Sequence, residues 1–512
     1  MTWFFGNRKS LLFALILAFI LAAGIRFYDL TELPRDFDPT RQMFSALKAR
    51  GMYYAMLPAN PGSATDQWHR ELAISQWKSM PVIEPPILET ITALTYRLVG
   101  EHLWIARIYS SLFWVLAGIP LFLLALDISG TSGAFIALLF YLFLPFGILS
   151  SRTFQPDPLM VALIVCAAWA SFRWAERRGW KWAITAGILN GLAILVKNVA
   201  VFPLAFGVAA LVFEFGFIKS LKDKQTWTVL GLSVLPTALY TIYGFASGFL
   251  AQQFSFRFFP QLWTQPDFYL RWIGQIEGVI GFGAFAVAIA GVFVAKRRGM
   301  ALLTGLLLGY FIYGMTFAYH ISTHDYYQML LIPIVAVSLA PAAEALFETA
   351  SRLRIGDNLN QKAGWNGIFT RVALSGLILF VVALQVWSVR VELYRNDWRP
   401  DAAFWTGLGE KLGHSGPVLA ISQDYGYRLA YWGWQDVESW YDASDLDLRV
   451  LDNRNIDLLQ RFHDQSAGKH FLVVTQSARL DQQPEIKDYV TKTFPIFAEG
   501  SGYTVYDLTK TK

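Results

Sequence analysis

Apolar residues in this chain gather in long runs rather than in the alternating or one-faced patterns of a soluble fold. The first covers 11 to about 27, directly behind Arg8 and Lys9. Further runs occupy roughly 107–126, 133–150, 157–174, 182–197, 199–216, 228–247, 275–295, 300–318, 326–348 and 368–388. Most approach the ~20 residues a helix needs to cross the hydrocarbon core of a bilayer, so the pattern predicts eleven transmembrane helices. Between the first two runs lies a long polar and amphipathic loop, 31–106. Within it, 42–56 and 68–77 repeat apolar positions at helical spacing and are expected to lie along the membrane surface. Residues 85–100 look long enough for a short twelfth span, but a span there would invert every later basic loop, so they are read as a surface or partly embedded helix.

After about 397 the pattern changes to short apolar runs separated by turn signals. Residues 417–422, 470–475 and 503–507 read as strands, and 401–412 and 454–464 as helices. The expected architecture is an α-helical polytopic membrane protein, with a transmembrane domain over 1–397 and a small soluble α/β domain over 398–512.

Charge then orients the spans. Glu176-Arg177-Arg178 and the basic stretches 219–224, 296–298 and 352–362 occupy alternate connections, as cytoplasmic loops do. The N-terminus is accordingly expected in the cytoplasm of a plasma (inner) membrane. The loop 31–106, the turns at 151–158, 197–198 and 319–327, the loop 248–273 and the C-terminal domain are expected outside it. Composition agrees, because 54% hydrophobic against 16% charged positions is too apolar for an ordinary soluble protein. A net charge of +5, bunched in short loops, reads as topology and not as nucleic-acid binding. The single cysteine, Cys166, excludes an intramolecular disulfide and gives no argument for a thiolate metal site. Ala22-Ala23-Gly24 offers a weak signal-peptide cleavage site, but the many later spans favour an uncleaved first helix.

A charge at membrane depth costs roughly 2.5 to 3.5 kcal/mol on insertion scales, so charges kept near helix ends need water, a partner or a task. The unusual ones here fall on one predicted face: Asp36, Asp38 and Arg41, then Glu84, Arg107, Arg152, Asp157, Lys197, His320, His324 and Asp325. Singly, each has an ordinary reading, with Arg107 or Lys197 snorkelling to headgroups, Asp157 capping a helix and His324 sitting in an aromatic belt. Independent snorkelling would populate both faces. Familiar soluble chemistries find no support, since the chain has no Gly-rich phosphate loop, no dinucleotide fingerprint and no His-Glu-x-x-His, and Ser422 lacks nucleophile-elbow glycines. A two-carboxylate glycosidase would not need eleven helices.

Taken in order, Asp38-Pro-Thr-Arg41, Glu84-Pro-Pro, Gly100-x5-Ala-Arg107, Ser151-Arg-x3-Pro-Asp157, Leu195-Val-Lys197-Asn and His324-Asp-Tyr-Tyr resemble the C-type membrane glycosyltransferases of the protein O-mannosyltransferase and aminoarabinose lipid A transferase group. The resemblance spans about residues 10–390. It implies inverting transfer of a hexosyl or pentosyl group from a polyprenyl-phosphate donor, at the extracytoplasmic face, to an acceptor hydroxyl on a protein, lipid or glycan. By this analogy Asp38 is the catalytic base, with Asp36 in reserve. Cations suited to the donor phosphate are Arg41, Arg107, Arg152 and Lys197, with Arg257 or Arg271 as additions, and Tyr326 and Tyr327 supply hydrogen bonds or stacking. Glu84, Asp157, His324 and Asp325 are supporting residues. Some relatives place a divalent metal ion near the phosphate, for which Glu84 and His324 are the candidate ligands here. Family members often carry Asp-Glu where this chain has Asp38-Pro39, and the lipid A branch carries a lysine beside the position of Glu84. The competing reading is a transporter or flippase of a polyprenyl-linked or anionic substrate, which would be expected to place charges near the midplane among discontinuous helices.

Overall fold

A computed structural model describes residues 7–58, 64–82, 84–250, 257–352, 365–414, 416–441, 443–452 and 456–512. Most of the expected basic loop 352–362 and part of the loop 248–273 lie outside the described residues. The chain divides into two units: Met1–Leu30 with Val82–Pro85 and Arg107–Arg395, and Thr31–Pro81 with Pro86–Ala106 and Asn396–Lys512.

The first unit is helical, and every long apolar run of the sequence is covered by one helix or by two in succession. Among the described residues, eight helices are long and apolar enough to cross a membrane, including Arg8–Phe27, Trp104–Ile128, Asp157–Arg177 and Arg297–Thr316. Pro266–Ile280 and Phe282–Val294 make a ninth if taken together across a 91° bend. That falls short of eleven because Thr131–Phe143 and Trp180–Val196 are only 13 and 17 residues long. The run 133–150 is cut at Leu144-Pro145, where a separate helix Pro145–Ser150 begins. The run 275–295 is cut at Gly281, whose φ of 84° an L side chain rarely adopts. Lipid-facing surface is evident on Arg8–Phe27, where Leu12, Phe13, Ile16 and Ile20 are all at least half exposed. Water would not tolerate so broad an apolar stripe.

Close backbone approach fixes part of this unit. The helix Leu331–Arg352 lies so near Thr131–Phe143 and Phe282–Val294 that a Cβ at Gly133 would sit 2.1 Å from the Ala340 carbonyl oxygen, and one at Gly291 2.0 Å from that of Ser338.

The second unit is built on a five-stranded sheet. Its strands are β1 (Val418–Ile421), β2 (Val437–Ser439), β3 (Phe471–Val474), β4 (Ile496–Gly500) and β5 (Tyr503–Asp507), in the order β2-β1-β3-β5-β4. β1 runs parallel to β2 and β3, and β5 antiparallel to β3 and β4. β1 and β3 are buried throughout because both faces are covered. Leu419, Ile421, Leu472 and Val474 join Phe462 and Ile486 in one core. Val418, Phe471, Val473 and Val505 join Trp405 and Leu429 in another.

The loop helices Pro39–Ala55, Ala64–Ser79 and Ile87–Val99 belong to this unit. Pro39–Ala55 differs from a surface helix in being buried on every face from Gln42 to Met52. Ala64–Ser79 covers it so closely that a Cβ at Gly51 would meet the Ala73 carbonyl oxygen at 2.6 Å. Its buried Arg50 is matched by Glu101 at 2.8 Å and lies 3.4 Å over the Tyr431 ring. Ile87–Val99 has 13 residues, too few to span, and keeps Leu94, Leu98 and Val99 exposed.

Candidate active site

Of the residues singled out by sequence, the first unit holds Glu84, Arg107, Arg152, Asp157, Lys197, His324, Asp325, Tyr326 and Tyr327, and the second holds Asp36, Asp38 and Arg41. In the first unit the structure brings one group of them together. Lys197 stands at the extended break between the helix Trp180–Val196 and the short 3₁₀ turn Asn198–Ala200. Asp157 opens the helix Asp157–Arg177, where the macrodipole favours an anion. The Lys197 Nζ donates to Asp157 Oδ1 at 2.8 Å and to Oδ2 at 2.9 Å, and both side chains are buried. Asp157 is therefore the partner of a lysine, with Pro156 in the N-cap position of its helix. The ammonium also lies 5.5 Å and 5.8 Å from the ring centres of Tyr326 and Tyr327.

Those tyrosines come from the 3₁₀ turn Asp325–Gln328, which an aromatic cluster holds in place. Tyr327 stacks on Tyr313 at 6.0 Å and on His320 at 5.4 Å, while His324 meets Tyr326 at 5.6 Å. Gln328 is fully buried, accepts the Tyr310 hydroxyl and donates to the Ile321 carbonyl at 2.8 Å. Burial, reinforced by His324 and Arg257, pushes the His320 imidazole down to about 3. His324 is likewise lowered by burial, and the Asp325 carboxyl is raised by it.

Arg107 and Arg152 are each 1% exposed. Arg152 donates to the Asp29 carbonyl at 3.2 Å, at a residue with φ of 46°. Beside it stands an arginine that sequence reasoning missed. Arg26, in the last turn of the first helix, is completely buried and donates to Ser151 Oγ at 2.7 Å and to the carbonyls of Ala22 and Leu142 at 3.0 Å. It pins the turn that carries Arg152, and two buried guanidiniums then share one neighbourhood. The available signal was a lone charge one residue before the end of an apolar run. Of the two possible additions, Arg271 is half exposed and paired with Asp267 at 3.1 Å on its own helix, so its charge is already countered.

In the second unit, Asp38 is the N-cap residue of Pro39–Ala55 and adopts a left-handed conformation, φ 33° and ψ 71°, with no side-chain cap bond. Asp36 and Arg41 are half-buried. Arg41 lies 5.7 Å from the Phe44 ring centre. An ion pair and a hydrogen bond tie the two flanks of Asp38 to the C-terminal segment: Arg35 pairs with Asp401, and the Thr40 hydroxyl donates to Asp424 at 2.8 Å.

A divalent metal ion would need more than Glu84 and His324. Among the described residues no three of His, Cys, Asp and Glu are grouped so as to hold one, so the donor set does not fit the ion and no step is routed through it.

The family model of dolichyl-phosphate-mannose-protein mannosyltransferases matches residues 83–243. No curated protein matches the sequence significantly. Among solved structures, ArnT from Cupriavidus metallidurans in the apo state matches with a TM-score of 0.60 at 16% identity, covering 96% of this chain and 97% of that one. The same protein bound to undecaprenyl phosphate gives 0.59 at 16% identity, over 96% and 98%. Archaeal oligosaccharyltransferase AglB from Archaeoglobus fulgidus, in complex with an inhibitory peptide and a dolichol-phosphate, gives 0.54 at 11% identity, over 97% and 74%. The chain therefore has the C-type glycosyltransferase fold, and its resemblance to the membrane glycosyltransferases of the mannosyltransferase and ArnT group is upheld both by the family model and by the solved structures.

Proposed function

We propose that this protein transfers a sugar from a polyprenyl-phosphate donor to an acceptor hydroxyl at the extracytoplasmic membrane face, with inversion at the anomeric carbon. The observation that carries this reading is the Lys197 ammonium, held by a buried carboxylate beside Tyr326 and Tyr327 at the end of an apolar helix. An ammonium has three donors, and with two directed at the Asp157 carboxylate Lys197 keeps capacity for a phosphate oxygen. Support also comes from the shared fold with ArnT, a protein solved with undecaprenyl phosphate bound.

In this mechanism the acceptor oxygen attacks the anomeric carbon from the face opposite the phosphate. The bond from that carbon to the phosphate oxygen breaks, and the electron pair leaves with the polyprenyl phosphate. Fixed cations stabilise the charge that develops there, a role suited to Lys197 and to the buried Arg107 and Arg152, with Arg41 as a further candidate. The tyrosine hydroxyls can donate to the same oxygens. The acceptor proton passes to a carboxylate, for which Asp38 is the candidate on the family resemblance, and from it to water. The sugar can be a hexose or a pentose, and the acceptor is any hydroxyl that reaches the donor.

The test is Asp38→Asn in membrane vesicles supplied with polyprenyl-phosphate mannose and cell-envelope acceptors. The variant is expected to insert and fold as the wild type does while turnover falls ~10²- to 10⁴-fold, the range removed with a general base. Full turnover would end the assignment of Asp38.

A further inference from the structure

The backbone of Asp38 is unusual in two ways at once. Its φ of 33° is rarely adopted by a residue with a side chain, and it precedes Pro39, whose ring restricts the preceding residue to extended conformations. Such a conformation persists only where its surroundings over-determine it, and it tends to occur where geometry matters for function. Asp38 makes no side-chain cap bond to the helix it opens.

A chain of side chains reaches from the sheet-bearing segment to both sides of Asp38. Three residues before it, the Arg35 guanidinium binds Asp401 and lies 3.8 Å over the Trp398 ring. Arg428 reaches the same Asp401 oxygen at 3.3 Å and also binds Asp424. Asp424 in turn accepts the Thr40 hydroxyl at 2.8 Å, two residues after Asp38. Two cations and two anions thus form one balanced network, with Arg428 and Asp424 only 6% and 10% exposed. Glu32 adds a further tie, accepting the Trp398 N–H at 3.2 Å and pairing with Arg399 at 3.3 Å.

We propose that the network Arg35–Asp401–Arg428–Asp424–Thr40 holds Asp38 in its catalytic conformation, making Asp401, Arg428 and Asp424 positioning residues of sugar transfer. This gives the C-terminal segment a task, to fix the loop that carries the base. The inference rests on Asp38 being that base.

The experiment uses the full chain in detergent with polyprenyl-phosphate mannose as donor and cell-envelope extract as acceptor source, comparing wild type, Thr40→Val, Asp401→Asn, the double variant and Asp401→Glu. Hydrogen exchange of residues 33–41 is expected to accelerate at least ten-fold in the double variant, while strands β1 and β3 stay protected. The kcat is expected to fall roughly 10- to 100-fold, the scale of a misplaced catalytic group, with the donor KM within about two-fold. Asp401→Glu, which keeps the charge, should recover most of the loss. Unchanged exchange at 33–41 would overturn the network's role in holding the loop, and faster exchange with unchanged kcat would overturn its role in catalysis. If the double variant loses protection in β1 and β3 as well, Thr40→Val, which removes one hydroxyl, decides by the same two readouts. Failure of the base assignment is separately visible as full turnover in Asp38→Asn, a result that leaves the exchange arm to be read on its own.

Discussion

Asp157 and Lys197 illustrate what a buried ion pair asks of its partners. Each ends or opens an apolar helix, and each would be costly alone at that depth. Asp157→Ala is expected to destabilise the protein by about 3 to 5 kcal/mol, because it strands a buried ammonium. The double variant Asp157→Leu with Lys197→Met should recover most of that stability, measured by thermal unfolding in detergent, but not the turnover of donor. His320 sets a pH dependence. Its imidazole binds a proton only near pH 3 in the folded protein, against an ordinary value of 6.5 in the unfolded chain. Between those values the unfolded state holds the extra proton, so stability falls as pH drops below about 6.5. The unfolding midpoint of the wild type, followed from pH 7.5 to 5, should therefore drop more steeply than that of His320→Gln. His324 shifts in the same direction, so a shallower slope remains in His320→Gln. At this scale the sequence announced Asp157 and Lys197 as charges at helix ends, yet their pairing across 40 positions leaves no local trace. Arg26 escaped notice because a basic residue at the end of an apolar run has a sufficient explanation as a flank.

Helices and strands differ in how plainly the sequence declares them. Long apolar runs revealed the spans because a bilayer demands them, and β1, β3 and β5 were visible as short apolar segments between turn signals. β2 and β4 were not, since Val437–Ser439 has three residues and Ile496–Gly500 is largely exposed, so neither carries a buried periodicity. The breaks inside apolar runs were equally hidden, because proline and glycine there can be tolerated without ending a helix. Two glycines separate the possible costs. Gly281 has a positive φ and no atom within 4 Å of an added Cβ, so Gly281→Ala should cost only the backbone strain, about 1 to 2 kcal/mol. Gly133→Ala would drive a methyl to 2.1 Å from the Ala340 carbonyl oxygen and must displace one helix from another. Its yield of folded protein in detergent, read by size-exclusion chromatography, should drop far below that of Gly281→Ala.

For the whole molecule, hydropathy and loop charge make the membrane class legible in the sequence, and ordered short motifs make the C-type glycosyltransferase resemblance legible there too. Illegible was the membership of Thr31–Pro81 and Pro86–Ala106 in the unit that carries the sheet, because ties such as Arg35 to Asp401 and Thr40 to Asp424 join residues more than 300 positions apart. The proposed function has the protein break the sugar–phosphate bond of a lipid-linked donor instead of moving that lipid across a membrane. Its most direct test follows polyprenyl-phosphate mannose, labelled in the sugar, with purified protein in detergent, where no transmembrane gradient exists, and with cell-envelope extract as acceptor. Release of polyprenyl phosphate matched one for one by label in an acceptor, with inverted anomeric configuration, is the expected result. An intact donor in detergent, combined with donor translocation by the same protein in sealed vesicles, would contradict it.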